Sequence, residues 1–145
     1  MTLDEAGLIA WGRRIGRDAA RPLFLALRGE LGAGKSVLAR AVADGAGVRA
    51  TMPSPTYNLV FHYEADRGAV VHVDLFRLRG PEEVRELGWR EFGAEGEIVI
   101  VEWPERAERI LPADRWDIEI QPGPAPDLRR ITATRRGDAP GLPPP

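Results

Sequence analysis

Two side chains that handle phosphate chemistry, Lys35 and Ser36, stand directly after a glycine-rich stretch over residues 29–34. These eight residues fit G-x-x-x-x-G-K-[ST], the pattern of a loop whose backbone N–H groups surround phosphates. In that pattern the lysine reaches the β- and γ-phosphates and the serine hydroxyl is a ligand for Mg²⁺. The pattern therefore predicts that a nucleotide is bound by Gly29, Glu30, Leu31, Gly32, Ala33, Gly34, Lys35 and Ser36.

Lys35 is the only lysine in the chain, beside nineteen arginines. A compact ammonium and a wide planar guanidinium are not equivalent in a tight phosphate site, so this one position favours a functional lysine over an incidental one. The flanking sequence supplies the elements that such a loop needs. The apolar run 23–27 predicts a buried strand before it, and the helix-forming run 37–43 predicts a helix after it.

Two carboxylates close other apolar runs, Asp74 after residues 70–73 and Glu102 after residues 97–101. The carboxyl ends of strands in α/β sheets are where ligand-facing groups lie. An apolar strand that ends in an acid commonly accompanies a phosphate-binding loop and serves the Mg²⁺ site. Either acid could hold Mg²⁺ with Ser36 or position a water, although Asp74 could also be a helix-capping residue. Trp103 could pack beside the nucleotide or belong to the core.

A further hydroxyl comes from Thr56, in a segment that Pro53 and Pro55 hold extended. This loop could close over the γ-phosphate and Mg²⁺, or it could be a plain connector. His62 and His72 are the only histidines. Two histidines without a third ligand make a weak metal site, so we expect ordinary sheet residues.

The rest of the chain predicts one domain over residues 1–136. Thr2 and Glu5 have the spacing of a helix capping box. Residues 58–64 and 69–74 suit a hairpin, and residues 115–121 and 128–135 suit an antiparallel pair. The Pro- and Gly-rich residues 137–145 cannot bury much apolar area and are predicted to form a disordered tail.

Composition narrows the possible functions. The net charge of −2 argues against a generally basic nucleic-acid binder, and we expect no DNA partner. The absence of cysteine excludes disulfides, thiolate metal sites and a cysteine nucleophile, and is compatible with a cytoplasmic location. No apolar run reaches the roughly eighteen residues of a membrane span, so no membrane partner is expected.

Taken together, several motifs closely resemble the TsaE (YjeE) family over about residues 3–135. The motifs are the loop 29–36, Ser54-Pro55-Thr56-Tyr57, His72-Val73-Asp74-Leu75-Phe76-Arg77-Leu78, Pro81-Glu82-Glu83, Leu87-Gly88 and Val101-Glu102-Trp103-Pro104. The order and spacing of this set are far more specific than the phosphate-binding loop alone. Ser36 stands where many members carry threonine, which keeps the hydroxyl. Phe76 stands where many carry tyrosine, which makes an essential phenol there implausible.

The resemblance implies an α/β fold of the P-loop NTPase type, a three-layer sandwich with a mixed sheet and an antiparallel C-terminal portion. Members are small bacterial ATPases that support formation of threonylcarbamoyladenosine beside the anticodon of tRNA. They bind the TsaB–TsaD pair, which transfers the threonylcarbamoyl group, and their ATP cycle resets that assembly. The implied ligands are therefore ATP and Mg²⁺, the implied partners are TsaB and TsaD, and tRNA is met indirectly through the complex.

Residue by residue, the resemblance assigns the catalytic and metal-binding work to a small set. By motif these residues are Lys35, Ser36, Thr56, Asp74 and Glu102, with Trp103 adjacent to the nucleotide. Looser similarity adds nucleotide contacts from Glu5, Glu105 and Arg129.

Alternatives from other functional classes remain at this point. A small-molecule kinase would need a second substrate pocket and a lid, for which little chain remains. A GTPase would need a lysine in its guanine-reading N-K-x-D motif, and Lys35 is already the only lysine. A non-catalytic sensor that binds ATP or ADP and a partner would have less need for two carboxylates.

Overall fold

A computed structural model describes residues 1–48 and 59–145. Within these ranges seven strands form one sheet. They are β1 (Thr2–Leu3), β2 (Leu23–Arg28), β3 (Val60–Tyr63), β4 (Val70–Asp74), β5 (Ile98–Glu102), β6 (Arg115–Pro122) and β7 (Arg129–Arg136). The spatial order is β1-β7-β6-β2-β5-β4-β3. The sheet brings the loop after β2 next to the end of β5.

Strand direction divides the sheet into a parallel centre and antiparallel edges. Strands β6, β2, β5 and β4 run parallel to one another, whereas β3 pairs antiparallel with β4, and β7 with β6. The apolar, β-branched sequences of β4 and β5 suit a centre that is covered on both faces. The predicted mixed sheet with an antiparallel C-terminal portion is therefore confirmed.

Helices cover both faces of the sheet and complete a three-layer sandwich. Helices α1 (Glu5–Asp18) and α2 (Lys35–Ala46) pack on one core cluster, which includes Leu25, Ile98 and Ile118. The other face is covered by the short helix α3 (Pro81–Arg85) and the 3₁₀ segments Trp89–Glu91 and Pro104–Ile110. Among the helices of the described ranges, none combines the length and apolarity that crossing a bilayer requires.

The start of α1 differs from the capping box predicted at Thr2 and Glu5. Thr2 pairs with Arg130 as part of β1, and the N-cap is Asp4, whose carboxylate accepts a hydrogen bond from the Gly7 N–H at 2.7 Å. Aspartate is as good an N-cap as threonine, and the short pairing of β1 with β7 removes Thr2 from the helix.

Glycines allow α1 and α2 to pack with their backbones in contact. A Cβ built on Gly16 of α1 would overlap the carbonyl oxygen of Val42, and one built on Gly45 of α2 would overlap the carbonyl oxygen of Arg13. This close contact fixes α2 against α1. Because α2 begins at Lys35, the contact also fixes the N-terminal end of the helix that faces the phosphate-binding loop.

The C-terminal residues differ from the predicted disordered tail, because they pack against the domain. The indole Nε1–H of Trp11 donates a hydrogen bond to the Pro143 carbonyl at 2.9 Å, and that of Trp116 donates to the Pro140 carbonyl at 2.7 Å. A partly or fully buried indole N–H needs an acceptor, and the extended proline-rich segment offers free carbonyls. The composition of residues 137–145 gave no sign of these two distant donors.

We predict that Gly16→Ala destabilises the protein by about 1–3 kcal/mol, the usual range for overpacking a close contact. The matched control is Gly141→Ala, because a Cβ at that position meets no atom within 4 Å. Chemical denaturation of both variants measures the difference. Equal stability of the two variants would contradict the close α1–α2 contact.

Candidate nucleotide-binding site

The site lies where the carboxyl ends of three parallel strands meet. Strand β2 leads into the glycine-rich loop, and the register of the neighbouring strands pairs Leu27 with Glu102 and Glu102 with Asp74. A cavity of about 470 Å³ opens there. Predicted site residues that line it are Glu30, Leu31, Gly32, Ala33, Gly34, Lys35, Ser36, Asp74, Glu102 and Trp103. The parallel register thus gathers groups that are far apart in sequence.

The loop conformation depends on glycine at its two ends. Gly29 has a φ of 146° and Gly34 a φ of 118°, values that favour residues without a Cβ. A Cβ on Gly29 would also lie 2.6 Å from the carbonyl oxygen of Ile120. Gly34 is the N-cap of α2 and supplies no side-chain acceptor. The first N–H groups of α2 therefore have no side-chain cap at Gly34, which is the arrangement that binds anions at helix N-termini.

The Lys35 side chain is folded back onto the loop. Its ammonium donates hydrogen bonds to the Gly29 carbonyl and, at 3.0 Å, to the Glu30 carbonyl. Burial lowers the pKa of Lys35, and the carboxylates of Glu102 and Glu105 act in the opposite direction. The ammonium is thus held by weak neutral acceptors that an anionic phosphate can replace.

Glu102 is a buried carboxylate with two polar neighbours. The hydroxyl of Ser36 lies 3.0 Å from its Oε1 and 3.2 Å from its Oε2, and Nε2 of His72 lies 2.6 Å from Oε2. Only 3% of Glu102 is exposed. Removing a carboxylate from water is costly unless hydrogen bonds replace the lost hydration, and these two groups supply them.

Asp74 lies beside Glu102 at the end of the adjacent strand. Burial raises the pKa of the Asp74 carboxyl, and the nearby Glu102 carboxylate raises it further, although a hydrogen bond from the Phe76 N–H at 2.9 Å opposes this. A cation beside the two acids would offset the repulsion between their negative charges. Asp74, Glu102 and the Ser36 hydroxyl are oxygen donors of the kind Mg²⁺ prefers, so the residues present fit that ion.

Trp103 has a backbone conformation that is uncommon for a bulky residue, with a φ of 59°. This left-handed turn directly after Glu102 directs the indole ring over Lys35, whose Nζ lies 4.0 Å from the ring centroid. The Phe76 ring packs against the indole at a centroid distance of 4.8 Å. Local strain of this kind is concentrated at functional sites. The Trp103 ring and the loop thus enclose the ammonium.

Two of the loosely assigned residues lie on the far side of the loop. Glu5 and Arg129 line a second cavity of about 380 Å³, which shares residues 32–34 with the first. The Arg129 guanidinium donates a hydrogen bond to the Ala33 carbonyl at 3.1 Å, so it supports the loop backbone directly.

The remaining predicted residues are placed differently or are not described. Glu105 lies 3.5 Å from the Arg28 guanidinium and is not among the described residues that line either cavity. Thr56, predicted as a loop hydroxyl at the γ-phosphate, lies outside the described residues, as does Ser54.

Some residues at the site were missed by sequence reasoning. His72 was predicted to be an ordinary sheet residue, yet it contacts Glu102. Its position two residues before Asp74 was a usable signal, because residues i and i+2 of a strand face the same side of a sheet. The guanidinium-bearing side chains of Arg40 and Arg77 also line the first cavity, and nothing in their local sequence pattern distinguishes them from other surface arginines.

The strand, glycine-rich loop and helix, with Lys35 and Ser36 beside two strand-end carboxylates, define a P-loop nucleotide-binding protein. The chain belongs to the TsaE family. Residues 2–131 match the family model described as threonylcarbamoyl adenosine biosynthesis protein TsaE.

Individual relatives agree with this assignment. The chain is 33% identical over 114 residues to the tRNA threonylcarbamoyladenosine biosynthesis protein TsaE of Haemophilus influenzae, covering 75% of this chain and 72% of the relative. It is 33% identical over 136 residues to the protein of that name from Streptomyces coelicolor, covering 87% and 91%. The crystal structure of Bacillus subtilis YdiB has the same fold, with a TM-score of 0.74 at 24% identity over 95% of this chain and 86% of that one.

We predict that nucleotide binding changes the fluorescence of Trp103, because its ring contacts the ammonium that phosphates would attract away from the loop carbonyls. The chain has four tryptophans, so Trp103→Phe should remove the ATP-dependent change in emission. Trp89→Phe is the control, because Trp89 is buried, its indole N–H is bonded to the Ile110 carbonyl, and it is not among the described residues that line the cavity. An unchanged response in Trp103→Phe would contradict the placement of the phosphates beside this ring.

Proposed function

We propose that this chain is a Mg²⁺-dependent ATPase that supports threonylcarbamoyladenosine modification of tRNA by binding and resetting the TsaB–TsaD pair. The observation that carries the proposal is the convergence of Lys35, Ser36, Asp74 and Glu102 on one cavity. Membership of the TsaE family supports the pathway. The presence of both Asp74 and Glu102 at the cavity favours hydrolysis, because a protein that only senses nucleotides has less need for two carboxylates.

The protein would act mainly by positioning groups around the phosphates. The loop N–H groups and the Lys35 ammonium stabilise negative charge on the β- and γ-phosphates. Ser36, with Asp74 or Glu102, would hold Mg²⁺, which neutralises charge on the phosphate oxygens when it is bound. The other carboxylate orients the attacking water by accepting its hydrogen bond. Phe76 and Trp103 shield one side of the cavity from solvent.

The architecture also supports a role with partners. In the described ranges the chain forms one sheet, its covering helices and the phosphate cavity. Leu31 at the tip of the loop and Phe76 at the cavity are large apolar side chains that are exposed, 72% and 38% respectively. Exposed apolar groups of this kind suit contact with a partner at the nucleotide.

Phosphate release from ATP and Mg²⁺ tests the proposal, first with this chain alone and then with a cognate TsaB–TsaD pair. The proposal predicts slow release by the chain alone and faster release with the pair. ATP binding without phosphate release in either condition would contradict hydrolysis and favour a nucleotide sensor. Release that is unaffected by the pair would contradict the coupling.

We predict that Lys35→Ala abolishes detectable ATP binding, whereas Glu102→Gln preserves binding and lowers the rate of phosphate release by about 100-fold or more, as expected when a carboxylate that orients the attacking water or holds Mg²⁺ is lost. Glutamine keeps the size of the side chain, removes its charge and replaces one acceptor oxygen with an N–H donor. Calorimetry measures binding and a phosphate assay measures turnover. Glu86→Gln, at an exposed position outside the cavity, is the matched control. Normal turnover by Glu102→Gln would eliminate the role assigned to this carboxylate.

A further inference from the structure

His72 is a buried polar residue that the proposed mechanism does not use. It lies in β4 with 1% of its surface exposed, and its Nε2 is 2.6 Å from Oε2 of Glu102. Strand alternation directs His72 and Asp74 to the same face of the sheet, the face covered by α2. The imidazole is therefore adjacent to the cavity but lies behind Glu102.

The hydrogen-bonding capacity of the two groups limits what the contact can be. An ionised carboxylate only accepts hydrogen bonds, so Nε2 of His72 is the donor to Glu102. The other ring nitrogen, Nδ1, is buried and has no partner within the described part of the chain. The polar contact of this imidazole is thus directed to Glu102.

Ser36 alone cannot fix Glu102, because its hydroxyl is also positioned to contact a bound ligand. The Ser36 hydroxyl contacts both oxygens of Glu102 at 3.0 Å and 3.2 Å, but it carries only one proton and is placed at the start of α2, where phosphates would bind. When Ser36 turns toward a ligand, His72 still holds Oε2. Oε1 then remains directed toward Ser36 and the cavity.

We infer that His72 is a positioning residue that fixes the Glu102 carboxylate for ATP hydrolysis, by donating from Nε2 to Oε2 across the neighbouring strands. The inference rests on the proposed function. His72 does not touch the phosphates and acts only through Glu102. Reactivity depends steeply on such placement, since a displacement of about 1 Å can cost about 100-fold in rate.

A matched pair of substitutions separates positioning from packing. Glutamine places an amide N–H donor near the position of Nε2, whereas methionine has similar length and no donor. We expect His72→Met to lower kcat for phosphate release at least about tenfold, with KM for ATP within about twofold of the wild type, in line with the loss of an oriented group rather than of binding. His72→Gln should have a kcat within about threefold of the wild-type value. His62→Met, at an exposed histidine of β3, should leave both constants unchanged.

The outcomes distinguish this inference from the proposed function. Equal kcat in His72→Met, His72→Gln and the wild type would overturn the positioning role, as would an equal loss in both variants accompanied by an equal fall in melting temperature. If the wild type releases no phosphate, alone or with the partner pair, the proposed function fails instead. Crystal structures of the two variants then decide the positioning role, because an unmoved Glu102 carboxylate in His72→Met would overturn it.

Discussion

The candidate nucleotide-binding site depends most on one buried carboxylate, that of Glu102, at the end of the parallel strand β5. Its removal from water is tolerated because Ser36 and His72 approach it within hydrogen-bond distance from two different elements. This contact joins the start of the phosphate-binding helix to the neighbouring strand β4. It also keeps a negative charge close to Lys35, where the charge opposes the lowering of the lysine pKa by burial. The loop, the helix and the two acids are thereby held as one unit.

The scaffold serves this unit by bringing backbones close together. The contact of α1 with α2 at Gly16 and Gly45 fixes the helix whose N-terminal end faces the cavity. The parallel register of β2, β5 and β4 places the loop, Glu102 and Asp74 side by side, although they are far apart in sequence. The positive φ of Trp103 turns the chain directly after Glu102, so the ring lies over Lys35. The loop, the two acids and Trp103 all lie at the carboxyl ends of strands, where α/β sheets place the groups that contact ligands.

Sequence alone could predict the features that are encoded locally. The glycine-rich loop, the apolar strands and the strand-end acids each have a pattern within a few residues, and the parallel sheet then places the acids together. His72 was missed because its partner is thirty residues away, and a single histidine in a strand usually has no special role. The packed C-terminal segment was missed because composition reports what a segment can bury, not which distant donors need its carbonyls. Trp11 and Trp116 supply those donors.

A crystal structure with Mg²⁺ and a non-hydrolysable ATP analogue would show whether Lys35, Ser36 and the two carboxylates meet the phosphates. We predict that the Lys35 ammonium leaves the Gly29 and Glu30 carbonyls for the β- and γ-phosphates. We also predict that the Ser36 hydroxyl lies about 2.1 Å from the metal, as expected for an oxygen ligand of Mg²⁺, with Asp74 and Glu102 on the metal or on a water facing the γ-phosphate. Phosphates bound elsewhere, or a Lys35 that remains on the loop carbonyls, would contradict this prediction.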